Sequence, residues 1–310
     1  MKKIMTFALA LTVAAALCAC SGNTPPKPGT SGEAGATADI GNGTGSPVTA
    51  SETAASHDPV AGSEGLEIRE YDDENMMVTG PGGFAEGDLV IPSHTDGKPV
   101  IMIDEDAFCE TGITSLTVPW TVQRIGEDAF EGCEKLTSVT LAEGLVTIGE
   151  SAFSGCKELK GLTVPSTVEH VGRSSFRECL SLKEVTFTGG ASVGSYAFAG
   201  CRSLKNVVFN GTSSVPYSIA SEAFYGASGL ESATFSEGLT EIGSYCFEYC
   251  SSLKTLYLPK SLTSVGPSAF YGVKLEKICY AGSEDDWNAI SVGADNDTLK
   301  NAEIVYNFKK

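Results

Sequence analysis

The chain has 310 residues, 42% of them hydrophobic, and a formal net charge of −18. That length holds one large domain or two small ones. The acidic balance argues against nucleic acid and against anionic lipid heads as partners, since like charges repel.

Lys2 and Lys3 precede an apolar run, Ile4 to Leu17, of signal-peptide length and too short to cross a bilayer comfortably. The run ends in Leu17-Cys18-Ala19-Cys20. An aliphatic residue three before a cysteine, with a small residue just ahead of it, resembles the lipobox of bacterial lipoproteins. The resemblance implies removal of residues 1–19 as a signal peptide and acylation of Cys20. Several acyl chains on one residue anchor stably where one is marginal. No later stretch is long and apolar enough for a membrane-spanning helix, so the expected placement is outside the cell membrane, held by lipid alone.

From Ser21 to Glu64, 32 of 44 residues are Gly, Ser, Thr, Pro or Ala, which cannot build a core. Residues 20–64 therefore read as a disordered tether, with a root-mean-square reach of about 35–40 Å. His57 lies in it as a solvated linker residue. Residues 65–99 mix apolar pairs such as Met77-Val78 and Val90-Ile91 with turns such as Gly80-Pro81-Gly82-Gly83. They read as short strands forming an N-terminal β cap.

Residues 100–280 repeat. Phe108, Phe130, Phe153, Phe176, Phe198, Phe224, Phe247 and Phe270 recur at gaps of 22, 23, 23, 22, 26, 23 and 23, the signature of a solenoid. An aliphatic stands five before each Phe, from Ile103 to Val265, and another six after it (five in the first and last repeats), from Ile113 to Leu275. Three further on runs the column Leu116, Val139, Leu162, Val185, Val207, Ala233, Leu256 and Ile278. Within Ser138-Val139-Thr140-Leu141 the alternation places Val139 and Leu141 inward on a short strand. Prolines such as Pro119 and Pro165 end the strands. One coil cannot bury its own apolar side, but coils stacked at about 4.8 Å can.

The unit from Ile148-Gly149 through Ala152-Phe153, Gly155-Cys156, Leu159 and Leu162 to Val164-Pro165 resembles the BspA-type leucine-rich repeat of bacterial surface proteins. The likeness covers about residues 87–281. It implies a mostly β repeat solenoid of about eight such repeats, with parallel short strands and a C-terminal helix/strand cap, and a role in adhesion or interaction. Residues 281–310 look like the closing module, in which Ser283 caps a short helix begun by Glu284-Asp285-Asp286 and Trp287 covers the last coil. The pattern is broken by Ser175 and Cys246 in place of Ala, by Ala227 and Val273 in place of Cys, and by an insertion around Gly211 to Ser218.

Catalysis needs convergent groups, and none stands out. His94 and His170 lack a nucleophile at useful spacing. Cys133, Cys156, Cys179, Cys201 and Cys250 share one repeat column without a histidine, which reads as a line of buried thiols rather than a metal site or disulfides. No enzyme activity, cofactor or metal is expected. The functional signal lies on the outer strand face. One column there reads Thr117, Thr140, Thr163, Thr186, Val208, Thr234, Tyr257 and Cys279. Its neighbour reads Thr114, Thr137, Lys160, Lys183, Lys205, Glu231, Lys254 and Glu276. The binding-face residues are therefore Thr140, Lys160, Thr163, Lys183, Thr186, Lys205, Thr234, Lys254 and Tyr257, with a positive stripe at Lys160, Lys183 and Lys205 suited to an acidic partner. The expected partner is an extracellular protein of a host or neighbouring cell. Glycan binding is the alternative, weakened because Tyr257 alone offers an outward ring; a structural envelope scaffold is a third reading.

Overall fold

A computed structural model describes residues 58–309 apart from 85 and 212–214. The signal peptide, Cys20, His57 and the tether up to residue 57 lie outside the described residues. Within residues 58–64, Val60 and Ser63 exchange backbone and side-chain hydrogen bonds with Ser93 and Val90. The ordered body thus takes in the last residues assigned to the tether.

The body is a parallel β solenoid with two ladders. One ladder joins short strands, from an antiparallel pair, Glu67–Glu70 with Met76–Gly80, through Lys98–Ile103 and its counterparts in each coil, to Ser291–Val292. The other joins the longer strands. It falls into a three-strand part (Glu86–Val90, Gly112–Val118, Ser138–Leu141) and a seven-strand part running from Gly161–Val164 to Glu303–Val305. Between the two parts the ladder is interrupted, although the Lys160 N–H still donates to the Thr137 carbonyl at 3.2 Å. Val139 and Leu141, expected inward, are only half-buried at this seam.

The solenoid has about ten turns where the Phe period marks eight. Both caps continue the ladders: Met76–Gly80 pairs in parallel with Lys98–Ile103, and Glu303–Val305 with Lys277–Tyr280. These end coils lack the Phe that marks the others.

The core follows the columns. All eight marker phenylalanines are buried, and successive rings stack at 5.1–5.3 Å with planes within 9° of parallel. Full burial of such a side chain contributes about 1.5–3 kcal/mol. A second stack fills the neighbourhood of the 211–218 insertion. Phe187 and Phe209 lie 4.0 Å apart, and Phe209 also meets Phe235 and the buried Tyr217 at 5.2 Å.

Each Phe sits in a turn with a ladder of its own. In the Phe130 coil, the N–H groups of Asp128, Phe130 and Gly132 donate to the Glu150, Ala152 and Ser154 carbonyls of the next coil. The residue two before Phe has a positive φ in every marked coil, between 48° at Ser151 and 61° at Glu222. The Cys column completes these turns. Each thiol donates to the Phe carbonyl of the preceding coil, as Cys156 does to Phe130 at 3.3 Å and Cys201 to Phe176 at 3.1 Å. All eight cysteines among the described residues are free. Burial pushes the Cys156 and Cys179 thiols well above their ordinary range, so they stay protonated donors.

Candidate functional site

The strand-face columns stand in register. Thr163, Thr186, Val208, Thr234, Tyr257 and Cys279 pair as one row of the seven-strand ladder, and Thr117 pairs with Thr140 in the three-strand part. The lysine column is tied by backbone bonds: the N–H of Lys183 donates to Lys160, that of Lys205 to Lys183, and that of Lys254 to Glu231.

The face is not equally open along its length. Thr140 and Thr163, on either side of the seam, are exposed, and Thr186 is half-buried. Thr234 is only 8% exposed, which removes it from an accessible face. Tyr257 is half-buried, with its ring 5.5 Å from that of Phe308, because the C-terminal segment folds back over this end. The Phe308 N–H is held by the Tyr280 carbonyl at 3.0 Å. The expected outward ring is therefore partly covered.

Charge narrows the site in the same direction. Lys205 pairs with Glu231 at 2.6 Å and Lys254 with Glu276 at 2.8 Å. The Glu276 carboxylate holds the Lys254 ammonium above its ordinary pKa by hydrogen bond and charge. Lys160 and Lys183 are exposed and have no ion-pair partner among the described residues. The stripe thus reduces from three lysines to two, and these lie beside Thr140 and Thr163. What results is an open, small-polar strand surface with two unneutralised cations.

No cluster of three or more His, Cys, Asp or Glu among the described residues has the geometry to hold a metal ion. Two shallow hollows, of about 430 and 400 Å³, lie by Glu110 and Lys135 and by Trp287 and Leu299. Neither is lined by a residue of the strand face.

The C-terminal module matches its reading and adds a residue. Ser283 caps the helix Glu284–Asn288, accepting from the Asp286 N–H at 3.2 Å, and Trp287 packs against Tyr280 at 5.3 Å. The residue that ends the Phe-turn ladder is Asn296, buried at 4% exposure, which sequence reasoning passed over. Exposed aromatics were missed as well. Tyr245, Tyr249 and Tyr271 stand on the Phe-bearing turns rather than on the strand face. Their signal lies in the repeat columns flanking Phe, where Tyr recurs at Tyr196, Tyr225, Tyr245 and Tyr271.

A model of the BspA type leucine rich repeat region, in six copies, matches residues 101–218 and 189–289. The chain belongs to the BspA-type leucine-rich repeat family. Among solved structures, the Treponema pallidum leucine-rich repeat protein TpLRR is similar at 28% identity, with a TM-score of 0.55 over 62% of this chain and 89% of that one. A leucine-rich repeat protein from Bacteroides ovatus is similar in fold at 24% identity, with a TM-score of 0.50 over 81% of this chain and 71% of that one. No curated protein matches at a significant level. The matched residues take in the Phe, Leu and Cys columns of the solenoid.

Proposed function

We propose that this BspA-type repeat protein is displayed outside the cell on a lipid held at Cys20, and that it binds an extracellular protein through the open part of its strand face. The observation that carries the reading is the pairing of Lys160 with Lys183. Two adjacent cations stay unneutralised on a chain of net charge −18, beside the exposed Thr140 and Thr163. Such a pattern selects an acidic patch on a partner and affects association rate more than bare affinity. No helix among the described residues is long and apolar enough to cross a membrane.

The test is a solid-phase screen of the whole chain against extracellular-matrix proteins, run beside a glycan array. Protein hits weakened by Lys160→Glu with Lys183→Glu support the reading. Glycan hits without protein hits would replace it with carbohydrate binding. Anchoring is tested separately: Cys20→Ala is expected to abolish lipid labelling and detergent-phase partitioning, and a variant that still partitions would refute the anchor.

A further inference from the structure

The Phe-bearing turns of the last coils carry a second surface. Tyr245, Tyr249 and Tyr271 are 42%, 50% and 51% exposed. Two before Phe, successive coils read Tyr196, Glu222, Tyr245; one after Phe, they read Tyr225, Glu248, Tyr271. A carboxylate thus stands between two tyrosines in each of two adjacent columns. The Tyr225 and Tyr249 rings lie 5.6 Å apart, and Tyr249 and Tyr271 6.2 Å, each pair edge to face at 82°.

Two of these rings stand on backbone that is unfavourable for large side chains. Tyr245 and Tyr249 have φ of 57° and 60°, in the left-handed region that disfavours large side chains. Two after Phe, where Tyr249 stands, five of the eight coils have glycine. An exposed aromatic kept in a strained conformation gains little from burial, and such strain collects at functional positions.

The chemistry of the partner is written into the same turns. The Arg173 guanidinium lies 5.9 Å from the centre of the Tyr196 ring, donated from the preceding coil. Burial, then the neighbouring Glu222 carboxylate, push the hydroxyl of that tyrosine up to about 12. Tyr245 occupies the same repeat position as Tyr196, but Ser221 stands where Arg173 would be, and no arginine follows Arg202 in the chain. The later coils repeat the rings and carboxylates without the cation. A flat sugar platform is a poor fit, because neighbouring rings are perpendicular, and anionic ligands meet Glu222 and Glu248. Alternate side chains of an extended peptide recur about every 6.6 Å, close to the spacing of the rings.

We propose that Tyr245, Tyr249 and Tyr271, with Glu222 and Glu248, dock an extended arginine-bearing segment of another protein, its guanidinium groups lying over the ring faces and paired with the carboxylates. This surface is distinct from the strand face and does not depend on it.

The test is calorimetric titration of the whole chain with the peptides (Arg-Gly)6, (Lys-Gly)6 and (Glu-Gly)6. The wild type is expected to prefer the arginine peptide and to ignore the glutamate one. Replacing Tyr245, Tyr249 and Tyr271 together by Ser leaves net charge unchanged, and is expected to weaken the arginine peptide roughly tenfold or more and to erase its preference over lysine. Tyr249→Gly, which relieves the left-handed strain and so keeps the fold, is expected to weaken it too. Equal affinity in wild type and both variants would overturn the proposal and leave net charge as the sole attraction. Lys160→Glu with Lys183→Glu is expected to retain peptide binding, so failure here is distinguishable from failure of the strand-face reading.

Discussion

Asn296 closes the turn ladder with its side chain: its Oδ1 accepts the Phe270 N–H at 3.1 Å, the bond that a backbone carbonyl of a following coil makes elsewhere. Its Nδ2 donates to the Gly266 and Gly293 carbonyls, each at 2.9 Å. One buried amide thus satisfies three backbone groups at the end of the stack. Asn296→Ala leaves them without partners and is expected to cost about 2–3 kcal/mol. Chemical denaturation measures the loss, and hydrogen exchange should show the last coil, around Phe270, opening first.

Gly172, four before Phe176, is required by close approach of coils. A Cβ on Gly172 would lie 2.5 Å from the Gly149 carbonyl carbon, whereas at Gly161 its nearest neighbour would be the Glu184 carbonyl oxygen at 3.9 Å. Gly172→Ala must push two coils apart and is expected to cost about 1–3 kcal/mol. Gly161→Ala is expected to stay within about 0.5 kcal/mol of wild type. Thermal unfolding of the two variants side by side checks the contrast.

Ser175 stands where most coils have Ala, and its hydroxyl is fully buried without a hydrogen-bond partner among the described residues. Burying an unpaired hydroxyl is unfavourable. Ser175→Ala is therefore expected to stabilise the protein by about 1 kcal/mol, read as a higher denaturation midpoint with an unchanged slope.

Asp128 gives a pH signature. Burial, then the Glu131, Glu127 and Asp106 charges, push its carboxyl up from 3.8 to about 6. The fold therefore holds this proton more tightly than the unfolded chain does. The sign follows: its contribution is greatest below about pH 4 and is lost as pH rises through 6. Asp128→Asn, which tolerates the φ of 50° at this site, is expected to raise the unfolding temperature at pH 7 and to flatten its fall between pH 4 and 7. The gain is expected to stay under about 1 kcal/mol, because the side chain is only half-buried and solvent screens its neighbours' charges.

Periodicity made the fold legible. The Phe, Ile/Val and Leu columns each project from a fixed point of a coil, so their spacing carried the solenoid, the stacked rings and the line of thiols. The end coils escaped because their cores use other residues: Val78 and Leu89 at one end, Asn296 and Leu299 at the other. The candidate face was legible in register but not in accessibility. Nothing local in the sequence shows that Phe308 folds back against Tyr257, or that Lys205 reaches Glu231 in the next coil. Those contacts join residues far apart in the chain, and they decide which part of the face stays open.

We propose Lys160 and Lys183 as the cationic centre of a protein-binding face. The most direct measurement is the association rate of the whole chain with a matrix protein recovered from the screen, for wild type and for Lys160→Glu with Lys183→Glu, across a salt series. The variant's rate is expected to fall roughly tenfold or more at low salt and to converge with wild type as screening rises. An identical rate and salt dependence in the two proteins, with the fold intact, would contradict it.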